Sequence, residues 1–156
     1  MLSESSVQEI EHELSKYPAD RRQSALMAAL RIAQDEHGWL SSELINYVAE
    51  LIQVPGVRAY EVASFYSMYE LKPVGKHKIC VCTNISCMLR GSDDVVNHLK
   101  SRLGIGLGET TEDGNITLKE VECLAACAGA PMMQVNREYH ENLTPERIDD
   151  ILDGLS

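Results

Sequence analysis

Four of the five cysteines stand in two close pairs, Cys82 with Cys87 and Cys123 with Cys127. Residues 88–122 separate the pairs, a length sufficient for a helix and a strand that carry the chain back to where it started. A fold that does so delivers four thiolates to one place from two separate loops. The first expectation is therefore a metal centre built by tertiary structure.

Composition bounds the rest. With 156 residues, 44% of them hydrophobic, the chain can bury the core of one domain, or of a small domain with a helical extension. Its formal charge is -10, shared evenly: up to Gly75 there are 11 acidic and 6 basic residues, and beyond it 13 and 8. Neither part offers the cationic face that phosphates or anionic lipids require, so nucleic-acid and lipid binding are set aside in favour of protein partners. Met1 to Glu13 is acidic, with neither the basic start nor the apolar run of a targeting peptide. No apolar run approaches the roughly twenty residues of a membrane helix, so no direct membrane insertion is expected. A cytoplasmic location is expected, where a reducing cytosol keeps thiols free as ligands.

The two halves differ in pattern. Ser6 with Glu9 and Asp20 with Gln23 have capping-box spacing and are expected to start the first two helices, with stripes at Val7, Ile10 and Leu14 and at Leu26, Ala29, Leu30 and Ala33. Gly38 is placed to end the second helix, and Leu44, Tyr47, Val48, Leu51 and Ile52 mark a third that stops at Pro55-Gly56. A fourth, from about Arg58, is expected to bury Val62, Phe65, Tyr66 and Tyr69. For these aromatics and for Trp39 core packing is preferred over the alternative of a partner surface, because helical spacing alone demands only a buried face. The helix-Gly-helix run from Ala33 to Pro55 is not read as a DNA-binding element, because its second helix carries Glu43 and Glu50 and no Arg or Lys.

Lys72-Pro73-Val74-Gly75 is a natural boundary, giving a helical segment 1–73 and a second domain 74–156. His77 to Cys82 alternates as a strand, Ile79 and Val81 on one face and Cys80 and Cys82 on the other. A helix from Asp93 to Leu103, strands at Asn115–Glu122 (after an Asp113-Gly114 turn) and Met132–Asn136, and a closing helix Pro145–Leu152 opened by Thr144 complete an α/β half. Ligands of such a sheet lie in loops at strand ends, where both cysteine pairs fall.

A 2Fe-2S cluster takes two thiolates on each iron, and the four-residue gap of plant-type ferredoxins is the gap between Cys82 and Cys87. The small residues flanking Cys127, Ala125-Ala126 and Ala128-Gly129-Ala130, let backbone N–H groups approach cluster sulfurs. Structural zinc competes, although its cysteines more commonly stand two residues apart. Disulfide redox chemistry lacks a Cys-x-x-Cys pair. Cys80 shares a face with Cys82 but lies two residues back along the strand, and is expected to be a dispensable buried thiol. The histidines are scattered, no nucleophile is paired with a base, and no Gly-rich strand-turn-helix fingerprint is present, so no catalytic residue is assigned.

Several runs carry a resemblance: Arg22-Gln23-Ser24-Ala25-Leu26, Ala33-Gln34-Asp35-Glu36-His37-Gly38-Trp39-Leu40, Tyr60-Glu61-Val62-Ala63-Ser64-Phe65-Tyr66-Ser67, Glu122-Cys123-Leu124-Ala125-Ala126-Cys127 with Gly129-Ala130-Pro131-Met132, and the tail Tyr139-His140-Glu141-Asn142-Leu143-Thr144-Pro145-Glu146. Together they resemble the small iron-sulfur subunit of the NADH-dehydrogenase module of bacterial complex I. One departure is Ala125, where that family usually has glycine. The resemblance implies an α/β (α+β) fold, a helical extension followed by a thioredoxin-like ferredoxin domain, and one 2Fe-2S cluster on Cys82, Cys87, Cys123 and Cys127. It also implies a flavoprotein partner where NADH meets FMN, further subunits of the module, and a peripheral place on the cytoplasmic side of the inner membrane through the complex. NAD-linked hydrogenases and formate dehydrogenases use the same cassette, and a zinc-stabilised adaptor is the non-redox alternative.

Overall fold

In the computed structural model, which describes residues 1–155, the chain divides into two units, Met1–Pro73 and a second from Val74 onward. The first is helical: α1 (Glu4–Ser15), a 3-10 segment (Ala19–Ala25), α2 (Leu26–His37), α3 (Ser42–Ile52) and α4 (Gly56–Phe65). Ile10, Leu26, Leu30, Leu40, Ile45, Val48 and Ile52 form its core.

Two helix starts differ from expectation. The cap of α1 is Ser3, whose hydroxyl accepts from the Ser6 N–H, so Ser6 lies inside the helix. Ser3 also donates its backbone N–H and its hydroxyl to the Glu36 carboxylate, tying the start of α1 to the end of α2. The Asp20–Gln23 pair starts no α-helix; it lies in the 3-10 segment, and α2 begins only at Leu26. A tertiary contact decides this: the Arg22 guanidinium donates to the Ile52 carbonyl at 2.9 Å and to the Leu51 carbonyl at 3.3 Å, satisfying orphan acceptors at the end of α3. Gly38 does end α2, at φ +80°.

The aromatic residues of the fourth helix are the larger correction. Ala59 and Ala63 face inward, while Phe65 is 79% exposed and Tyr66 is exposed beside it. Tyr69 is buried as expected, donating its hydroxyl to the Met27 carbonyl at 2.8 Å, and burial pushes its phenol up to about 12. Trp39 is only half-buried.

The second unit has a five-stranded mixed sheet in the order β2-β3-β1-β4-β5. The strands are β1 (His77–Cys82), β2 (Glu109–Thr110), β3 (Ile116–Val121), β4 (Met133–Val135) and β5 (Glu138–His140). Three helices complete it: α5 (Ile85–Leu89), α6 (Ser92–Leu103) and α7 (Pro145–Asp153). β1 and β3 are parallel, and the other pairs antiparallel. Ile79 and Val81 from β1, with Ile116, Leu118, Met133 and Val135, pack against Val95, Val96 and Leu99 of α6 and Ile148 and Leu152 of α7. Thr144 caps α7, accepting from the Arg147 N–H, and Gly114 turns into β3 at φ +72°. The fold is α/β, a helical segment followed by a mixed sheet with helices.

Candidate metal centre

Strand pairing brings the two cysteine pairs together. β1 and β3 run side by side in the same direction, with Cys82 in register with Val121, and the Thr83 N–H donates to the Val121 carbonyl at 3.3 Å. Both strands therefore leave the sheet at the same end. Cys82 is the last residue of β1, and Cys123 lies two residues past the end of β3. The chain entering β4 closes the third side: the Cys82 N–H donates to the Met132 carbonyl at 3.3 Å.

Cys87 is returned to Cys82 by α5, which sequence periodicity does not reveal because it has only five residues. Its signal is local: the Asn84 side-chain oxygen accepts from the Ile85 N–H at 2.6 Å, a cap that turns the chain directly after the strand. Cys82 and Cys87 are buried with Ala130 and Met132, and Leu124 and Ala126 pack around them. Burial, reinforced by a hydrogen bond with the Cys82 thiol, pushes the Cys87 thiol up to about 11, and Cys127 is close enough to act on it electrostatically.

Cys123 and Cys127 are exposed. The Cys123 sulfur accepts the Ala125 N–H at 3.3 Å, and a 3-10 turn follows at Cys127–Gly129. The buried Cys80 lies outside the small apolar cluster formed around Cys82 and Cys87. Among the described residues, no three His, Cys, Asp or Glu side chains gather as a single-ion site.

Ala125 has φ +59°, so the departure from glycine falls at a left-handed position. An L-residue pays roughly 1–2 kcal/mol there, and replacing it by glycine costs about 0.4–1 kcal/mol in unfolded-chain entropy. Ala125→Gly is thus expected to stabilise the loop by about 0.5–1 kcal/mol, visible as a rise of about 2 °C in the melting temperature of the cluster-loaded protein. A lower melting temperature would show that the methyl group packs favourably.

The profile of the thioredoxin-like 2Fe-2S ferredoxin family matches residues 10–156. The chain belongs to that family. Its cofactor is a 2Fe-2S cluster. The E-type subunit of the NADH-quinone oxidoreductase of Rickettsia bellii is 48% identical over 143 residues, covering 91% of this chain and 86% of the relative. A second E-type subunit of that name, from Rhizobium meliloti, is 48% identical over 148 residues, covering 95% and 87%. The fold is also that of a segment of an NAD+-reducing NiFe-hydrogenase in its air-oxidised state: TM-score 0.74 at 22% identity, over 86% of this chain and 24% of that one.

The donor set of this family member fits the group. Four thiols from two loops flank one end of the sheet, divided two and two, as a cluster with two irons divides its ligands. A structural zinc more commonly takes cysteines two residues apart, and neither cysteine pair has that spacing.

Proposed function

We infer that the chain is the iron-sulfur electron-transfer subunit of an NADH-quinone oxidoreductase, holding its 2Fe-2S cluster on Cys82, Cys87, Cys123 and Cys127. The observation that carries this reading is the parallel pairing of β1 with β3, which starts both cysteine loops from one end of the sheet. The names borne by relatives at 48% identity over nine-tenths of the chain support the assembly. In this reading residues 1–73 form a helical partner-binding domain and residues 74–156 a ferredoxin domain, in keeping with the division at Pro73.

When bound, the cluster supplies reversible one-electron uptake. The chain's own residues set the conditions. Cys82, Cys87, Ala130 and Met132 form a dry wall on one side, which limits solvent access and so influences the potential. The other side is open: Cys123 and Cys127 are exposed, so a donor or acceptor can approach closely there. On α5, Cys87 is buried while Ile85, Met88 and Leu89 point outward, an apolar rim beside the site suited to a protein partner.

The partner is an NADH- and FMN-binding flavoprotein, with further subunits of the same module, and through them the chain sits peripherally on the cytoplasmic side of the inner membrane. No described helix is long and apolar enough to cross a membrane. In the helical unit, Phe65 stacks edge-on against Tyr66 at 5.1 Å, and Tyr66 against the buried Tyr69 at 6.5 Å. The exposed Phe65 thus stands on a rigid aromatic ladder, with Val57, Tyr60 and Met68 also exposed on α4 and just beyond it. Pre-organised aromatics of this kind are typical interface anchors, worth about 2 kcal/mol or more each, or roughly 30-fold in Kd. Phe65→Ala and Tyr60→Ala are expected to weaken binding to the flavoprotein by about that factor each, measured by calorimetric titration, with the iron-sulfur spectrum unchanged. Wild-type affinity in the double variant would remove the helical unit from the interface.

A further inference from the structure

We propose that Glu141 lowers the reduction potential of the 2Fe-2S site, its carboxylate serving as a fixed negative charge against the loop that carries Cys127. The proposal rests on the ligand assignment above and goes beyond it to a residue that ligates nothing.

Gly129 is buried and ends the 3-10 turn that begins at Cys127. A Cβ built on it would overlap the Glu141 side chain, lying 2.6 Å from the Glu141 Cβ and colliding with the carboxylate. The half-buried Glu141 side chain therefore fills the space that any larger residue at 129 would need. The backbone holds it there. The Asn142 N–H donates to the Gly129 carbonyl at 2.6 Å, and the Leu143 N–H donates to the Pro131 carbonyl at 3.0 Å. These two bonds stitch the chain after β5 to the cysteine loop on either side of Ala130. Asn142 adopts φ +51°, a left-handed residue at the point where the carboxylate is set against the loop.

The electrostatic consequence has a definite sign. Reduction adds one negative charge to a 2Fe-2S cluster, so an anion packed against the backbone two residues along the chain from a ligand opposes it. Partial burial weakens the solvent screening that would cancel the effect at an exposed site. Net charge near the cluster is one of the terms that set its potential. Glu141 is thus a tuning residue, and glycine at 129 is what allows it so close.

The test is an EPR-monitored redox titration of the cluster-loaded full chain. Glu141→Gln keeps the shape and removes the charge. At the wild-type midpoint the ratio of reduced to oxidised cluster is expected to rise about three- to tenfold, tenfold corresponding to 59 mV for one electron. Glu141→Asp keeps the charge and is expected to stay closer to wild type than the Gln variant. A Gln variant with a full complement of cluster and an unchanged midpoint would overturn the proposal. So would loss of the cluster from both Glu141→Gln and Glu141→Ala, which would make Glu141 a scaffold residue. If instead the wild-type protein gives no 2Fe-2S signal at all, the site assignment fails first, and the titrations distinguish the two failures.

Discussion

Replacing any one of Cys82, Cys87, Cys123 or Cys127 by alanine is expected to remove the 2Fe-2S cluster or leave it at a small fraction of wild-type occupancy. Each iron takes two thiolates, so one deletion opens a coordination position to water. The loss should be sharpest at Cys87. Its thiol is buried against Cys82 in a small apolar cluster with Ala130 and Met132. Cys80→Ser is the control, because Cys80 is buried on β1 outside that apolar cluster. It should keep full occupancy. Iron content and visible absorption of the five purified variants decide the matter: full occupancy in all four ligand variants, or cluster loss in a well-folded Cys80→Ser protein, would show the ligand set to be wrong.

The second large effect concerns turnover. The isolated chain is expected to give only background NADH:ferricyanide activity, and addition of the flavoprotein is expected to restore it. Hydride transfer from a nicotinamide needs a bound two-electron acceptor, and the sequence contains two cysteine pairs but no Gly-rich strand-turn-helix fingerprint for a dinucleotide. What the chain contributes is a site with one buried wall and one exposed side, where proximity to a partner is sufficient for electron transfer. NADH oxidation by the lone chain, free of contaminating flavin, would reveal a cofactor site outside those described.

Much of the sheet-bearing half is legible in the sequence because local chemistry and tertiary structure agree there. The alternation of His77 to Cys82 corresponds to β1, Asp113-Gly114 to the turn before β3, and Thr144 with Pro145 to the start of α7. The cysteine pairs point to a metal, but the reason they meet is not local. It is the parallel register of Cys82 with Val121, a pairing between segments almost forty residues apart. The short helix around Cys87 escapes periodicity because five residues do not complete two turns. Ala125 hides a left-handed backbone that glycine would have advertised.

The helical half shows the opposite failure. Spacing marks Phe65 and Tyr66 as apolar positions on a helix, and spacing alone places such residues inward. Small residues, Ala59 and Ala63, make the internal contact instead, and the aromatics are left outside. A hydrophobic pattern records which residues leave water, not whether they do so on folding or on assembly. The misplaced capping box at Asp20–Gln23 has a similar origin: Arg22 is held by the carbonyls at the end of α3, so tertiary hydrogen bonds override a local start signal.

Whether the four thiols hold one two-iron cluster is decided by low-temperature EPR of the dithionite-reduced protein, with iron and zinc quantified on the same sample. A reduced 2Fe-2S signal with two irons per chain and no stoichiometric zinc is the expected result. Stoichiometric zinc, with neither iron nor a paramagnetic signal, would contradict the account and turn the same cysteines into a structural site.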